Sequence, residues 1–233
     1  MNDVSKTIGW AQRTWNPVVG CHGPGGTSVN PKICWYCYLQ RFQDKGFSYE
    51  PTFKENKLQE PYHIKPSKIF VGSSGDTFGD WVPTEWIDRV IKVMCENPQH
   101  TFQSLTKNPK RYSEFKFPQN VWLGTTVDCN AGLDRIHHLV SSNEKNIKFV
   151  SFEPLLEDVG ENVCLDKVNW IIIGSMTYVE GKKTIYPKKE WVQKLIEQAR
   201  EKSIPIFLKD NLHWPIEIKE YPKHNLFNYF LKA

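Results

Sequence analysis

Seven short apolar runs set the limits on how this chain folds. They are "TWNPVVG" (14–20), "KIFVGSS" (68–74), "TFQSLTK" (101–107), "VWLGTTV" (121–127), "IKFVSFEPL" (147–155), "NWIIIGSM" (169–176) and "PIFLKD" (205–210). Most are continuous, without polar alternation, as strands are when both faces of a parallel sheet are covered. Amphipathic stretches separate them. "PTEWIDRVIKVMCEN" carries Trp86, Ile87, Val90, Ile91 and Met94 on one helical face, with Thr84 as the expected N-cap. "AGLDRIHHLVSS" repeats the pattern with Leu133, Ile136 and Leu139 or Val140, and "PKKEWVQKLIEQAREK" with Trp191, Leu195, Ile196 and Ala199, Pro187 suiting a first turn. "CWYCYLQRFQDKG" also reads as a helix, ending near Gly46.

Strand–helix–strand repetition with short links predicts an α/β fold. Seven strands of one sense without a GxGxxG turn favour a full or partial (β/α) TIM-type barrel with a mostly parallel sheet over an open dinucleotide fold. No interior linker interrupts the pattern, so residues 1–233 are expected to form one domain. The least regular segment, 47–66, is expected to be a loop or lid. No apolar run approaches the roughly 20 residues of a membrane helix. The opening "MNDVSKTIGWAQRTW" lacks the apolar core of a signal peptide, which places the chain in the cytoplasm. Its net charge of +4 permits an anionic partner without requiring one.

In such barrels the chemistry sits where strands end. The residues there are Ser73, Ser74 and Asp76, then Thr106 and Lys107, then Thr125, Thr126 and Asp128, then Glu153, Ser175, Lys209 and Asp210. Solvated loops explain many polar residues at strand ends. Glu153 stands out because "FVSF" and "PLL" flank it, and a buried carboxylate needs a partner or a metal.

Three of the six cysteines fall within seventeen residues: Cys21, then Cys34 and Cys37 in a CxxC pair. In a reducing compartment such clusters read as metal-binding or catalytic. Structural zinc needs a fourth ligand, for which His22 is an awkward neighbour of Cys21. A redox dithiol at Cys34 and Cys37 leaves Cys21 unused. A [4Fe–4S] cluster on three cysteines leaves one iron open, where four cysteines are usual. Cys95, Cys129 and Cys164 read as bystanders, Cys95 as a small buried hydrophobe of its helix.

This pattern resembles the radical S-adenosylmethionine superfamily, whose CxxxCxxC signature lies in the loop after the first barrel strand with an aromatic residue, here Tyr36, before the last cysteine. The blocks "TWNPVVGC", "CWYCY", "IFVGSSGDTF", "HTFQSLTKNPKR", "VWLGTTV", "FVSFEPLL", "WIIIGS" and "PIFLKD" resemble more closely a phage-associated family of unknown function with a three-Cys motif. The departure is the spacing: "HGPGGTSVNPKI" puts twelve residues between Cys21 and Cys34 where the signature has three. This segment must fold as an excursion that returns both thiolates to one centre, and its Gly and Pro content suits a tight return.

The resemblance implies that Cys21, Cys34 and Cys37 hold a [4Fe–4S] cluster and that S-adenosylmethionine chelates the open iron. Reduction by one electron, from a donor such as a flavodoxin or ferredoxin, then yields methionine and a 5′-deoxyadenosyl radical that removes a substrate hydrogen. By position, Ser73, Ser74, Gly75 and Asp76 stand where related enzymes hold the methionine amino group. Thr125 and Thr126 are expected at the ribose, Tyr36 at the adenine, and Glu153, Lys107 and Lys209 at the barrel mouth. Nucleic acid is a candidate substrate for modification or repair, with "TKNPKRYSEFKF" (106–117) as a basic, aromatic stretch for it or simply a solvated face. Two rivals remain: a zinc-binding nucleic-acid module and a non-catalytic iron–sulfur protein.

Overall fold

The computed structural model describes residues 1–223. In chain order its strands are β1 (Asn2–Asp3), β2 (Arg13–Trp15), β3 (Val18–Val19), β4 (Thr52–Phe53), β5 (Lys68–Val71), β6 (Thr101–Thr106), β7 (Val121–Thr126), β8 (Lys148–Phe152), β9 (Trp170–Ile173) and β10 (Ile206–Leu208). Three α-helices, α1 (Thr84–Glu96), α2 (Asp134–Ser141) and α3 (Lys189–Glu201), fall between later strands. One eight-stranded sheet runs β1-β2-β5-β6-β7-β8-β9-β10. Every pairing in it is parallel except β1 with β2. The sheet curls into a partial barrel whose edges are β1 and β10, as the apolar runs predict.

Strand parity divides the side chains between two environments. Outward positions such as Ile69, Val71, Phe102, Val121, Leu123, Val150, Ile171, Ile173, Ile206 and Leu208 join the helices in the main core. Inward positions Trp122, Phe149, Trp170, Ile172 and Phe207 form a second cluster with Trp10 and Ala11, against which Phe70 and Leu105 pack. Its rings meet tilted or edge-on, with Trp10 and Phe70 centroids 4.7 Å apart and Trp122 and Trp170 5.6 Å apart, geometries worth about 0.5–1.5 kcal/mol per pair beyond burial. This aromatic plug floors the inner face. One or two steps further along the same strands, the inward positions turn polar.

Several local expectations need correction. The run 14–20 is two strands: Pro17 lacks an N–H and cannot continue the ladder, so β2 ends at Trp15 and β3 pairs antiparallel with β4. The segment 47–66 is no free lid. It holds β4 and a 3₁₀ helix, Glu55–His63, with Leu58 and Pro61 buried, and the carbonyl of Lys57 accepts a 2.7 Å bond from the Trp15 indole. The helix expected from Cys34 begins only at Tyr38, is 3₁₀, and stops at Gly46 in the left-handed region as foreseen. Pro83, not Thr84, occupies the N-cap position of α1, without a side-chain cap bond. Helix α3 buries Val192 more fully than Trp191 because the stripe is rotated by one position.

The stretch 106–117 is solvated only in part: Lys110, Ser113, Glu114 and Lys116 are exposed, while its central cation and ring turn inward. Arg111 is buried, donating to the carbonyls of Gly79 (2.5 Å) and Val82 (2.8 Å), and Tyr112 is wholly enclosed. Cys95 reverses the expectation of burial, being exposed on α1.

At the opposite end from the cysteines, Lys148 starts β8. It is buried, and its ammonium donates to the carbonyls of Asn143 (2.5 Å) and Asn146 (2.9 Å). Burial pushes it down to about 8. In the unfolded chain a lysine titrates near 10.4, so between these values the unfolded state holds the extra proton and stability rises with pH. Urea unfolding from pH 7 to pH 10 is expected to show the wild type gaining stability relative to Lys148→Met above pH 8. A pH-independent difference would show that the folded lysine titrates normally.

Candidate functional site

The C-terminal ends of the parallel strands border one cavity of about 870 Å³, and Cys21, Cys34 and Cys37 all line it. Cys21 follows β3. Its N–H donates to the Tyr49 carbonyl (2.8 Å), while Gly20 donates to the Ser74 carbonyl (2.9 Å) and bridges Gly75 in parallel. The next twelve residues form the predicted excursion. Lys32 N–H closes it on the His22 carbonyl at 2.6 Å, and Gly26 N–H bonds the Gly23 carbonyl at 2.9 Å. Gly23 makes the return possible: its φ is +78°, and a Cβ there would lie 1.8 Å from the Lys32 oxygen. Cys37 N–H then meets the Cys34 carbonyl at 2.9 Å, so the CxxC pair spans one tight turn.

The thiols feel one another and their surroundings. Burial, then the Asp76 and Cys34 charges, pushes Cys21 up to about 12. Burial raises Tyr49 as well, followed by its contact with the Cys37 sulfur and the charges of Cys21 and Cys34. The Tyr49 hydroxyl is buried and makes no hydrogen bond to nitrogen or oxygen. A phenol aimed at the three-thiol cluster with its proton unspent is a donor ready for thiolate sulfur. Among the described residues no three Cys, His, Asp or Glu side chains are gathered around a single ion position. His22 is turned elsewhere, with Nε2 3.3 Å from Glu50 and its ring against Trp81. A mononuclear site needs its sulfurs around one atom, whereas each thiolate of a cubane binds a different iron.

The "SSGD" turn follows β5 at the cavity wall, and its polar atoms are largely engaged. Asn16 Oδ1 accepts from Ser73 Oγ (3.1 Å) and from Ser74 N–H (2.9 Å), and the Tyr38 hydroxyl donates to the Ser73 carbonyl. Asp76 is buried. It accepts from Thr106 Oγ1 (2.6 Å), Phe78 N–H (3.0 Å) and Lys107 N–H (3.0 Å), tying the turn to the end of β6. These bonds fix Asp76 in place on the cavity wall.

Tyr36 lines the cavity and donates its hydroxyl to Asp128. Burial, Asp128 and the neighbouring Cys34 all raise that phenol. Asp128 also accepts from Arg135 at 3.0 Å. Burial alone would raise its carboxyl, but Lys107, Tyr36 and Arg135 outweigh it and hold Asp128 below the usual range. Lys107 stands over the Tyr36 ring at 5.5 Å. Across the mouth, Lys209 pairs with Glu153 at 2.9 Å, both largely buried. Gly174 leaves the room for that carboxylate, since a Cβ there would come within 2.9 Å of it.

Of the expected site residues, Cys21, Cys34, Cys37, Tyr36, Ser73, Ser74, Gly75, Asp76, Lys107, Thr126, Glu153 and Lys209 line this one cavity. Thr125 does not. It has the outward parity of Val121 and Leu123, and its Oγ1 donates to the Thr106 carbonyl at 2.9 Å. Ser175 and Asp210 border a smaller neighbouring cavity. Asn16 and Tyr38 went unforeseen, though Asn16 follows β2 with the inward parity of Thr14. Nothing local marked Tyr49, which tertiary folding brings to the thiols. Cys95, Cys129 and Cys164 lie outside the cavity lining.

One family profile, described as a protein of unknown function (DUF5131), matches residues 5–225. The chain belongs to the DUF5131 family. The match takes in the whole parallel ladder and all three cavity cysteines, so the thiol-bearing mouth lies within the DUF5131 unit. Neither the curated proteins nor the solved structures contain a match.

Gly23→Ala puts a methyl group into the Lys32 carbonyl in a left-handed backbone, a strain of order 1–3 kcal/mol. Urea unfolding is expected to show that loss. Cys21, slow toward a disulfide reagent in the reduced wild type, is expected to react faster in the variant, because the loop that buries it has opened. Equal Cys21 rates in the two proteins would show that the excursion does not shield it.

Proposed function

We propose that this protein is an iron–sulfur enzyme of the cytoplasm that holds a [4Fe–4S] cluster on Cys21, Cys34 and Cys37 and binds S-adenosylmethionine at the open iron. The observation that carries this reading is the convergence of three thiols from two separate segments, beside a buried unspent phenol, on a cavity far larger than the thiols fill. A volume of about 870 Å³ suits a cluster with a cofactor of this size. Held by Cys21, Cys34 and Cys37, such a cluster would supply one-electron reductive cleavage of the bound sulfonium, and with it radical chemistry on a substrate C–H bond.

The chain's own groups have separable tasks. Tyr49 donates its proton toward Cys37 sulfur and stabilises negative charge there. The turn of Ser73, Ser74 and Gly75, held by Asn16 and Tyr38, forms a rigid wall for the amino and carboxylate ends of the cofactor. Asp76 keeps that wall in place. Thr126, on the inward face of β7, offers a hydroxyl for a ribose, and Tyr36 presents its backbone to the adenine. Lys107 and the Glu153–Lys209 pair line the far side and orient substrate. The electron donor is expected to be a small redox protein such as a flavodoxin or ferredoxin. No described helix is long and apolar enough to cross a membrane.

Anaerobic purification followed by iron and sulfide analysis, then dithionite reduction with S-adenosylmethionine, tests the reading. A brown protein that releases 5′-deoxyadenosine is expected, and the triple Cys→Ala variant at 21, 34 and 37 is expected to lose both properties. A colourless protein with one zinc would overturn the proposal, and a brown protein that leaves the cofactor intact would overturn its catalytic part.

Tyr49→Phe is expected to keep its iron yet show a more negative midpoint potential in an absorbance-monitored titration, because hydrogen bonds to cluster sulfur raise the potential. An unchanged potential would remove that role for the phenol.

A further inference from the structure

Beside the large cavity lies a second of about 350 Å³. Thr7, Ile8, Thr177 and Lys209 line both, so the two are adjacent and share a wall. A strap, residues 177–186, leaves the end of β9 and forms its outer wall. Met176 N–H meets the Ile185 carbonyl at 3.2 Å where the strap begins and ends, and Lys182 at its tip donates to the Trp35 carbonyl inside the CxxC turn. The strap is therefore anchored to the thiol site.

Its surface is unusual for this molecule. Six large hydrophobic side chains are exposed among the described residues: Val29, Trp35, Tyr62, Tyr178, Tyr186 and Ile216. All but Tyr62 sit on loops at the C-terminal ends of the strands. Tyr178 and Tyr186 are 65% and 57% exposed and border the smaller cavity, with the His213 ring 6.3 Å from that of Tyr186. The same rim is basic. Residues 177–190 carry four lysines against two glutamates, and Lys6 stands exposed at the cavity edge. Exposed flat rings interleaved with lysines match the chemistry of a single-stranded nucleic acid, whose bases stack on aromatics and whose phosphates meet cations. An acidic peptide would use the lysines and leave the rings idle.

We infer that the strap and the smaller cavity bind a single-stranded polynucleotide, with bases on Tyr178 and Tyr186 and backbone phosphates at Lys6 and Lys183. One nucleotide then passes Thr177 and Lys209 into the larger cavity. Naming the substrate class in this way rests on the reading of the larger cavity as the reaction site. Chemistry on a base needs that base out of its stack, and a single strand presents it at least cost.

The test is fluorescence anisotropy with a labelled oligothymidylate of about 15 nucleotides at about 50 mM salt, on protein with and without reconstituted iron and sulfide. Tyr178→Ala and Tyr186→Ala are each expected to weaken binding about tenfold. Lys6→Glu with Lys183→Glu is expected to flatten the slope of log affinity against log salt by roughly 1.4. All four positions are solvent-exposed, and unchanged thermal unfolding will confirm that the variants fold. The inference is overturned by absence of binding, by variants that bind as the wild type does, or by tighter binding of the duplex. Equal competition by polyglutamate or by thymidine monophosphate at matched charge overturns it too. Release of 5′-deoxyadenosine, measured separately without oligonucleotide, distinguishes the outcomes. Tyrosine-dependent binding without cofactor cleavage keeps the strand site and rejects the radical chemistry; cleavage without binding does the reverse.

Discussion

The parallel ladder from β2 to β10 holds its strands in a register that sends alternate side chains to opposite sides, and the functional region depends on that alternation. Outward residues meet α1, α2 and α3 in one apolar core. Inward residues meet each other, first as an aromatic floor of Trp122, Phe149, Trp170 and Phe207, then as the polar wall of Lys107, Thr126, Glu153 and Lys209. A floor of packed rings at crystal-like density does not yield, so the polar residues above it stand on a rigid base. The geometry of the cavity is inherited from the pleat.

The thiols are delivered to that wall by different means. Cys21 follows β3, outside the main sheet, and backbone bonds to Tyr49 and the β5 turn hold it. Cys34 and Cys37 come back through a glycine-closed excursion and a single turn. Three tethers hold this arrangement: Gly20 against Gly75, Asp76 against the end of β6, and Lys182 reaching from the strap to the Trp35 carbonyl. Each joins a loop to an ordered element or to the next loop. The sulfur-bearing mouth is thus built from loops yet positioned by strands, as sites on parallel barrels are.

The same architecture explains which rings and cations reach the surface. The stretch 106–117, basic and aromatic in sequence, spends Arg111 and Tyr112 on the interior, where they satisfy carbonyls and fill volume. The strap at 177–186 attracts less notice as a string of residues, yet it leaves two tyrosines in water beside the cavity. Composition cannot distinguish the two segments, since both offer cations and rings. What separates them is which side of a packed layer each lands on.

Read alone, the chain determined much of this. Continuous apolar runs divided by amphipathic stretches require a parallel sheet with helices against it, because only strands covered on both faces lack polar alternation. The CxxC pair, the lone upstream cysteine and the glycine-rich link between them announced a thiol cluster at a strand end. Glu153 was marked by its apolar flanks. Tertiary structure alone decided the partners. It gave Glu153 its lysine, turned Thr125 away while Thr126 faced inward, tied Asp76 to the end of β6, and brought Tyr49 to the cysteines from a segment with no periodic signal. The physical reason is range. Periodicity is a local property that assigns a residue to a face, whereas a site is made of residues distant in sequence that meet only when those faces close around a common space.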